Sequence, residues 1–231
     1  MNSQSGTVVL RFILFAAATL IFVPCVESVP SPVYIYDSFG PGNTFDNSFA
    51  YWGVYGASGS VGYVGHAESF VPALSGNLDT VQVACGQLSS GTGLVNFHVA
   101  ADNGGTPGAM LESFMNVVAP ASSSSSFIVT MNSITQPLLH AGTTYWLYAE
   151  PAENTSAMGW FVNNQGYRND YAQEGPPGQW TSASITFEAN GVFDVIVTPV
   201  PEPSMVTWLA MGAMASLARR RHGKSARSRR L

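Results

Sequence analysis

Apolar and polar residues alternate with a period of two along much of the middle of the chain. In LVNFHVA at 94–100, Val95, Phe97 and Val99 fall on one face of an extended segment and His98 falls on the other. Similar stretches predict further strands at 33–36, 51–55, 61–64, 81–85, 127–131, 143–149, 158–162, 184–188 and 192–197.

The segments between the predicted strands are rich in Gly, Pro, Asn and Ser, as in GPGN, ASGS, NGGTPG, PASSSSS and EGPPG. Many short strands separated by such turn residues are typical of an antiparallel β-sandwich, and we expect the jelly-roll type. The body contains no convincing amphipathic helix and no tandem repeat. The sequence therefore predicts one all-β domain over residues 29–199.

The stretch ADNGGTPG at 101–108 predicts two consecutive turns. Asp102 and Asn103 precede two glycines, which suits a tight hairpin, and Pro107 with the glycine after it suits a second turn. Asp102 also carries the hard oxygen ligands that Ca²⁺ prefers. One carboxylate is few for a calcium site, so the turn interpretation is favoured.

The first 28 residues predict an export signal. Arg11 precedes an uncharged apolar run at 12–23, and Pro24 ends that run. Its length suits the apolar region of a signal peptide and is too short to span a bilayer as an ordinary helix. We therefore expect a signal peptide over residues 1–28, removed by signal peptidase.

The segment 200–231 predicts a short C-terminal transmembrane helix. An uncharged run at 205–218 follows VPEPS, and Pro203 suits the first turn of a helix. This run gives a helix of about 21 Å, short of the ~30 Å hydrocarbon core. The basic residues that follow keep this end cytoplasmic, so the body lies outside. The expected membrane stop is Arg219, Arg220 and Arg221.

This C-terminal arrangement resembles the PEP-CTERM sorting signal of Gram-negative bacteria that produce exopolysaccharide. Pro201, Glu202 and Pro203 match the signature tripeptide, and the apolar run with its arginine cluster matches the helix and basic end of that signal. The extension after the arginines is longer than usual. The resemblance implies processing by a membrane-embedded exosortase, a transient inner-membrane anchor, and then delivery to the cell surface or extracellular matrix.

The body is similar to the all-β "choice-of-anchor" domains that often carry such tails. The similarity lies in YDSFGPGN at 36–43, ADNGGTPGAMLESF at 101–114, LHAGTTYWLYAE at 139–150 and GQWTS at 178–182. That family implies an all-β fold and has no established activity to carry over.

The charge of the body excludes one large class of partner. Between residues 29 and 199 there is one basic residue, Arg168, against twelve acidic residues, a formal charge of −11. Nucleic acid is bound through Lys and Arg contacts to phosphate, so we expect no nucleic-acid partner.

The cysteines and histidines offer no recognisable reactive site. Cys25 leaves with the signal peptide, and Cys85 alone cannot form an intrachain disulfide, so a buried, inert thiol is expected. His66, His98 and His140 are far apart in sequence, and His98 is expected to face solvent. HxH, HxxxH, CxxC and GxSxG motifs are missing, so the sequence predicts no metal, no cofactor and no catalytic residues.

Two pairs of nearby carboxylates could form the acid and base of a glycosidase: Glu150 with Glu153, and Asp170 with Glu174. Solvated loop charges are the favoured interpretation of both pairs. Aromatic side chains could stack on sugar rings if one sheet face exposes them, although packing in and around the core explains most of them. They are Trp52, Tyr55, Tyr145, Trp146, Tyr148, Trp160, Tyr167, Tyr171 and Trp180.

The leading hypothesis is an exported, non-enzymatic protein of the cell surface or extracellular matrix. It is processed through its C-terminal signal, and polysaccharide is its candidate ligand. The alternative is an extracellular carbohydrate-active hydrolase that uses carboxylates on loops.

Overall fold

The computed structural model describes residues 30–59, 61–89, 91–124, 126–183 and 190–200 of the chain. Within these ranges it contains strands and no helix, which confirms the all-β prediction. The strands are β1 (Val33–Asp37), β2 (Asp46–Tyr55), β3 (Gly65–Phe70), β4 (Gly76–Gln87), β5 (Leu94–Asp102), β6 (Pro107–Val118), β7 (Ile128–Asn132), β8 (Leu138–Leu139), β9 (Tyr145–Pro151), β10 (Ala157–Val162), β11 (Tyr171–Glu174), β12 (Trp180–Ala183) and β13 (Phe193–Pro199).

The strands form two antiparallel sheets that pack face to face, as in a β-sandwich. In the part of the chain that the structure describes, the first sheet has the order β1-β13-β4-β10-β2, with β7 and β8 also paired to β4. The second sheet has the order β12-β11-β3-β9-β5-β6. Strands β1 and β13 pair along their length, which brings the two ends of the described fold side by side.

The period-two alternation in the sequence determines which side chains enter the core. Val81, Val83 and Cys85 of β4 point inwards from the first sheet, and alternate residues of β5 and β9 meet them from the second. The opposing residues are Val95, Phe97, Val99, Leu147 and Ala149, all fully buried.

The free thiol of Cys85 is part of this core. Burial raises the pKa of Cys85 to about 12, so the thiol keeps its proton at neutral pH. The buried free thiol predicted from the sequence is confirmed.

The strand predicted at 61–64 is wrong. Gly62 has a φ of 81°, in the left-handed region, and this interrupts the extended conformation. Val64 forms only an isolated bridge with Tyr55, and the strand β3 begins at Gly65. The stretch is a turn because of a glycine conformation that alternation does not reveal.

The second turn predicted at Pro107 is also wrong, because Pro107 is the first residue of β6. Proline is tolerated at the start of a strand at a sheet edge, and β6 is last in the order of the second sheet as described. The pairing of β6 with β5 contains three register shifts, and Asn116 has a φ of 55°. These irregularities remove the simple alternation by which a strand is recognised.

Several sequence predictions lie outside the described residues, among them the short transmembrane helix at 205–218. The others are the signal peptide over 1–28, the strand at 184–188, the tripeptide Pro201, Glu202 and Pro203, and the membrane stop Arg219, Arg220 and Arg221. Across the described ranges, no helix has the length and apolar character needed to cross a membrane.

Candidate functional site

The outer face of the second sheet gathers polar and aromatic side chains from several strands. Tyr145, Leu147 and Ala149 point into the core, so the alternate residues Tyr148 and Glu150 of β9 point outwards. Neighbouring strands and the segment before β3 add similar side chains. The polar face comprises Tyr63, Asn96, His98, Ser113, Tyr148, Glu150, Glu174 and Trp180.

Small residues form the floor beneath part of the polar face. Ala67, Ala100, Ala172 and the buried Trp146 make a separate apolar cluster, against which Tyr148 and Trp180 pack. The Trp146 indole N–H donates a hydrogen bond of 2.7 Å to Asp102, whose carboxylate also accepts bonds from two backbone N–H groups of the following turn. Asp102 therefore stabilises the hairpin turn, as the turn interpretation predicts.

His98 links two other residues of the polar face. Its Nε2 lies 3.1 Å from Glu150 Oε1, and its Nδ1 lies 2.6 Å from Ser113 Oγ. If Nε2 carries the ring proton, it donates to Glu150, and Nδ1 accepts from the Ser113 hydroxyl. The ring also stacks on Tyr148, with centroids 4.6 Å apart.

The sequence placed His98 on the outer face correctly, but the expectation that it faces solvent is wrong. The residue is only 4% exposed. Tyr148 covers one side of the ring, and the two ring nitrogens are hydrogen-bonded to Ser113 and Glu150. Alternation gives the face of a side chain but not the neighbours that cover it.

The carboxylates of Glu150 and Glu174 share this face and differ in their proton affinity. The hydrogen bond from His98 lowers the pKa of Glu150, against the effect of burial. Burial raises the pKa of Glu174, and the negative charge of Glu150 adds to that rise. Glu150 is therefore the more readily ionised member of the pair.

The Tyr63 hydroxyl has a single proton, which goes to Glu174, and it lies near Glu150. It donates a hydrogen bond of 2.8 Å to Glu174 Oε2, and it also contributes to lowering the pKa of Glu150. Burial raises the pKa of Tyr63, and it raises the pKa of Tyr148 to about 12. Both phenols stay neutral at physiological pH and can act as hydrogen-bond donors.

Few of the aromatic residues considered from the sequence belong to the polar face. Tyr148 and Trp180 do, with ring centroids 5.1 Å apart in an edge-to-face arrangement, and both are partly exposed. Tyr145, Trp146 and Trp160 are buried instead. Tyr63 was missed because it lies in the stretch taken for a strand, where nothing in the sequence relates it to Glu174.

The structure brings together a pair of carboxylates that differs from both pairs considered from the sequence. The structure associates Glu150 of β9 with Glu174 of β11 in the same sheet. For these two residues the interpretation as solvated loop charges is wrong, because Glu150 is half-buried and Glu174 is only 2% exposed. Glu153 is exposed in the loop after β9 and accepts a hydrogen bond of 2.6 Å from Thr92. It is a loop charge, as the favoured interpretation predicts.

His66 belongs to a buried polar network between the sheets. Its Nε2 lies 2.8 Å from Glu68 Oε1, which also accepts the Gly191 N–H at 2.8 Å. Asn190 donates to the other oxygen of Glu68, and Trp52 stacks on the His66 ring with centroids 4.6 Å apart. These partners satisfy the buried polar groups, which indicates a structural role.

No metal centre of the usual kind is evident in the described ranges, where no three His, Cys, Asp or Glu side chains are grouped to hold an ion. Fold and site together define a β-sandwich protein with an acidic, aromatic face on one sheet. In comparisons with known proteins, the chain matches no family model, and no curated protein matches it significantly.

Proposed function

We propose that the chain is an exported, non-enzymatic β-sandwich of jelly-roll type that binds polysaccharide at the polar face. The observation that carries the binding proposal is the presence of the half-buried carboxylate of Glu150, with the buried Glu174 behind it, beside the partly exposed rings of Tyr148 and Trp180. This combination offers both kinds of contact that a sugar ring needs.

The chemistry of the face suits neutral or amine-bearing glycans. Sugar hydroxyls and ammonium groups donate hydrogen bonds to carboxylates, while the apolar faces of sugar rings pack on aromatic side chains. The body carries one basic residue against twelve acidic ones. That charge disfavours acidic polysaccharides as ligands, because like charges repel.

The proposed location rests on the two terminal segments of the sequence. A signal peptide over 1–28 would deliver the body across the inner membrane, and the segment 200–231 would hold it there until an exosortase acts. The products are expected at the cell surface or in the extracellular matrix. Signal peptidase and exosortase are thus the proposed processing partners.

The sorting proposal is tested by intact mass and cell fractionation in a host with and without its exosortase. A shortened product at the surface or in the matrix only when exosortase is present is the expected result. Full-length protein in the inner membrane of both strains would instead identify the segment as a permanent anchor.

The binding proposal is tested with the purified full-length chain on an array of neutral, amine-bearing and acidic oligosaccharides. We expect Trp180→Ala and Glu150→Gln each to weaken binding about tenfold, since each removes one good contact. Tyr34→Ala is the matched control, because Tyr34 is a 55% exposed aromatic residue of the first sheet. Wild-type protein that binds no glycan on the array would count decisively against the proposal.

A carbohydrate-active hydrolase is the second candidate, favoured by one specific observation. The pKa of Glu174 is raised and that of Glu150 is lowered, which is the division expected of a general acid and its partner base or nucleophile. The assay is release of reducing ends from any polysaccharide that binds. Turnover that Glu174→Gln abolishes while binding persists would establish this function, and binding without turnover would leave the first proposal standing.

A further inference from the structure

A row of oxygen-bearing side chains crosses the outer face of the first sheet. Asp37 of β1 lies directly opposite Asp194 of β13, Asp194 lies opposite Gln82 of β4, and Gln82 lies opposite Thr130 of β7. Directly opposed residues of antiparallel strands point to the same face, with their Cβ atoms about 5 Å apart. The four side chains are therefore neighbours across four strands.

Asp194, near the middle of this row, is buried without a partner. The residue is 1% exposed, and neither carboxylate oxygen has a hydrogen-bond partner of normal geometry among the described residues; the backbone N–H of Gln82 comes near enough only to offset part of the rise in its pKa. A buried carboxylate without a partner is rare in folded proteins, because removing the group from water is costly unless hydrogen bonds or a cation replace the water. The carboxylate of Asp194 therefore needs a binding partner such as a cation.

The side chains next to Asp194 offer more hydrogen-bond acceptors than donors. Asp37 uses Oδ1 to accept the Phe39 N–H at 2.9 Å, which leaves its second oxygen. Gln82 donates its amide nitrogen to Thr130 Oγ1 at 3.3 Å, so its amide oxygen is the atom left for another partner. Two carboxylates and an amide oxygen are acceptors, and acceptors placed together attract a cation.

We propose that Asp37 and Asp194 bind a hard divalent cation of the Ca²⁺ type, with the Gln82 amide oxygen and water completing its coordination. Calcium accepts carboxylate, amide and water oxygens in flexible geometry, and modules that work outside cells commonly bind it with dissociation constants of about 10⁻⁴ to 10⁻³ M. The site has two carboxylates, which suits affinity at this weak end.

Such a cation would have a structural consequence independent of the polar face. It would join β1 to β13, the first and last strands of the described fold, on the sheet opposite the proposed glycan site. Glycan binding and cation binding can therefore be lost separately.

The test is a Ca²⁺ titration of the chelator-treated full-length chain, followed by thermal unfolding at about pH 8 and constant ionic strength. The pH matters because, without a cation, burial and the charge of Asp37 raise the pKa of Asp194 to about 7, so protons compete with the metal. At tenfold excess over the dissociation constant we expect the midpoint to rise by about 3 to 5 °C. Calorimetric titration should give one site per chain.

Two variants distinguish a specific site from general screening of an acidic protein. Asp194→Asn should remove the Ca²⁺-dependent rise, and Asp37→Asn gives the same readout if the first variant does not fold. Asp46→Asn is the matched control, because Asp46 is a carboxylate of β2 whose described side-chain bonds go to Ser48. It should retain the full rise.

Two results would overturn the proposal. One is a wild-type midpoint that does not change up to about 10 mM Ca²⁺, well above the weak end of the expected affinity range. In that case Asp194 simply holds a proton beside Asp37. The other is an equal rise in all the variants, which would show non-specific screening.

Discussion

Glu112 and Thr135 form a double hydrogen bond across a loop: Glu112 Oε2 accepts the Thr135 backbone N–H at 2.9 Å and its hydroxyl at 2.8 Å. The same oxygen accepts the Ile134 N–H and the Ser133 hydroxyl, so one carboxylate of β6 holds the loop between β7 and β8. Burial alone would raise the pKa of Glu112, but these hydrogen bonds outweigh it and lower the pKa to about 2.

Glu112 should therefore make the fold sensitive to acid. Its pKa falls from 4.5 when unfolded to about 2 when folded, so its stabilisation is fully present above about pH 4.5 and is lost as the pH falls towards 2. Near pH 6 we expect Glu112→Gln to lower the free energy of unfolding by about 1.5 to 3 kcal/mol. Urea unfolding near pH 6 and pH 3 measures the difference, which should shrink at the lower pH.

The control for this experiment is Asp170→Asn, since Asp170 is an exposed acid in front of β11. Its effect should stay within about 0.5 kcal/mol at both pH values. A Glu112→Gln variant as stable as wild type near pH 6 would contradict the assignment.

The contact between His98 and Glu150 should be visible in the titration of Glu150. Because the hydrogen bond from His98 is the main cause of the lowered pKa of Glu150, His98→Ala should raise that pKa. Carbon-13 NMR of the carboxylates measures it directly. Ser113→Ala is the control, because it leaves the bond between His98 and Glu150 in place, and an equal rise in that variant would refute the stated cause.

The Cys85 thiol should be unreactive in the folded protein. It is fully buried, and burial raises its pKa to about 12, so thiolate is scarce and inaccessible. Near pH 8, a thiol reagent should label the chain only in denaturant. Rapid labelling of Cys85 in the native protein, located by mass spectrometry, would show that this part of the core opens readily.

Phe97 should be among the most sensitive positions of the core. Its side chain is fully buried where the two sheets meet, and its ring lies edge to face with Trp160 at 5.6 Å. We expect Phe97→Ala to lower the free energy of unfolding by about 3 to 5 kcal/mol. Val118→Ala, at a 69% exposed position, should change it by less than about 0.5 kcal/mol in the same denaturant titration.

The fold class was predictable because most strands show their alternation directly. Strand β5 is the clearest case, since Val95, Phe97 and Val99 are all buried in the core as expected. Strand β6 was not predictable, because its bulges and the left-handed Asn116 break the period. Regular pairing leaves a signal in the sequence, and irregular edge pairing does not.

The polar face was only partly predictable, for a different reason. Alternation correctly placed His98 on the outer side of β5, but it could not show that Glu150 and Glu174 share its sheet. Their strands lie in the order β11-β3-β9-β5, which differs from their order along the chain. Which strands become neighbours is decided by long-range pairing, so residues far apart in sequence meet without a local signal.

The pairing of β13 also determines how the sandwich would carry mechanical load. This strand, the last of the described fold, lies between β1 and β4 and is hydrogen-bonded to both. A pull applied at Pro199 acts along the strand, so the two ladders of hydrogen bonds share the force and must shear together before the strand can leave. A strand at a sheet edge could instead be peeled away one bond at a time.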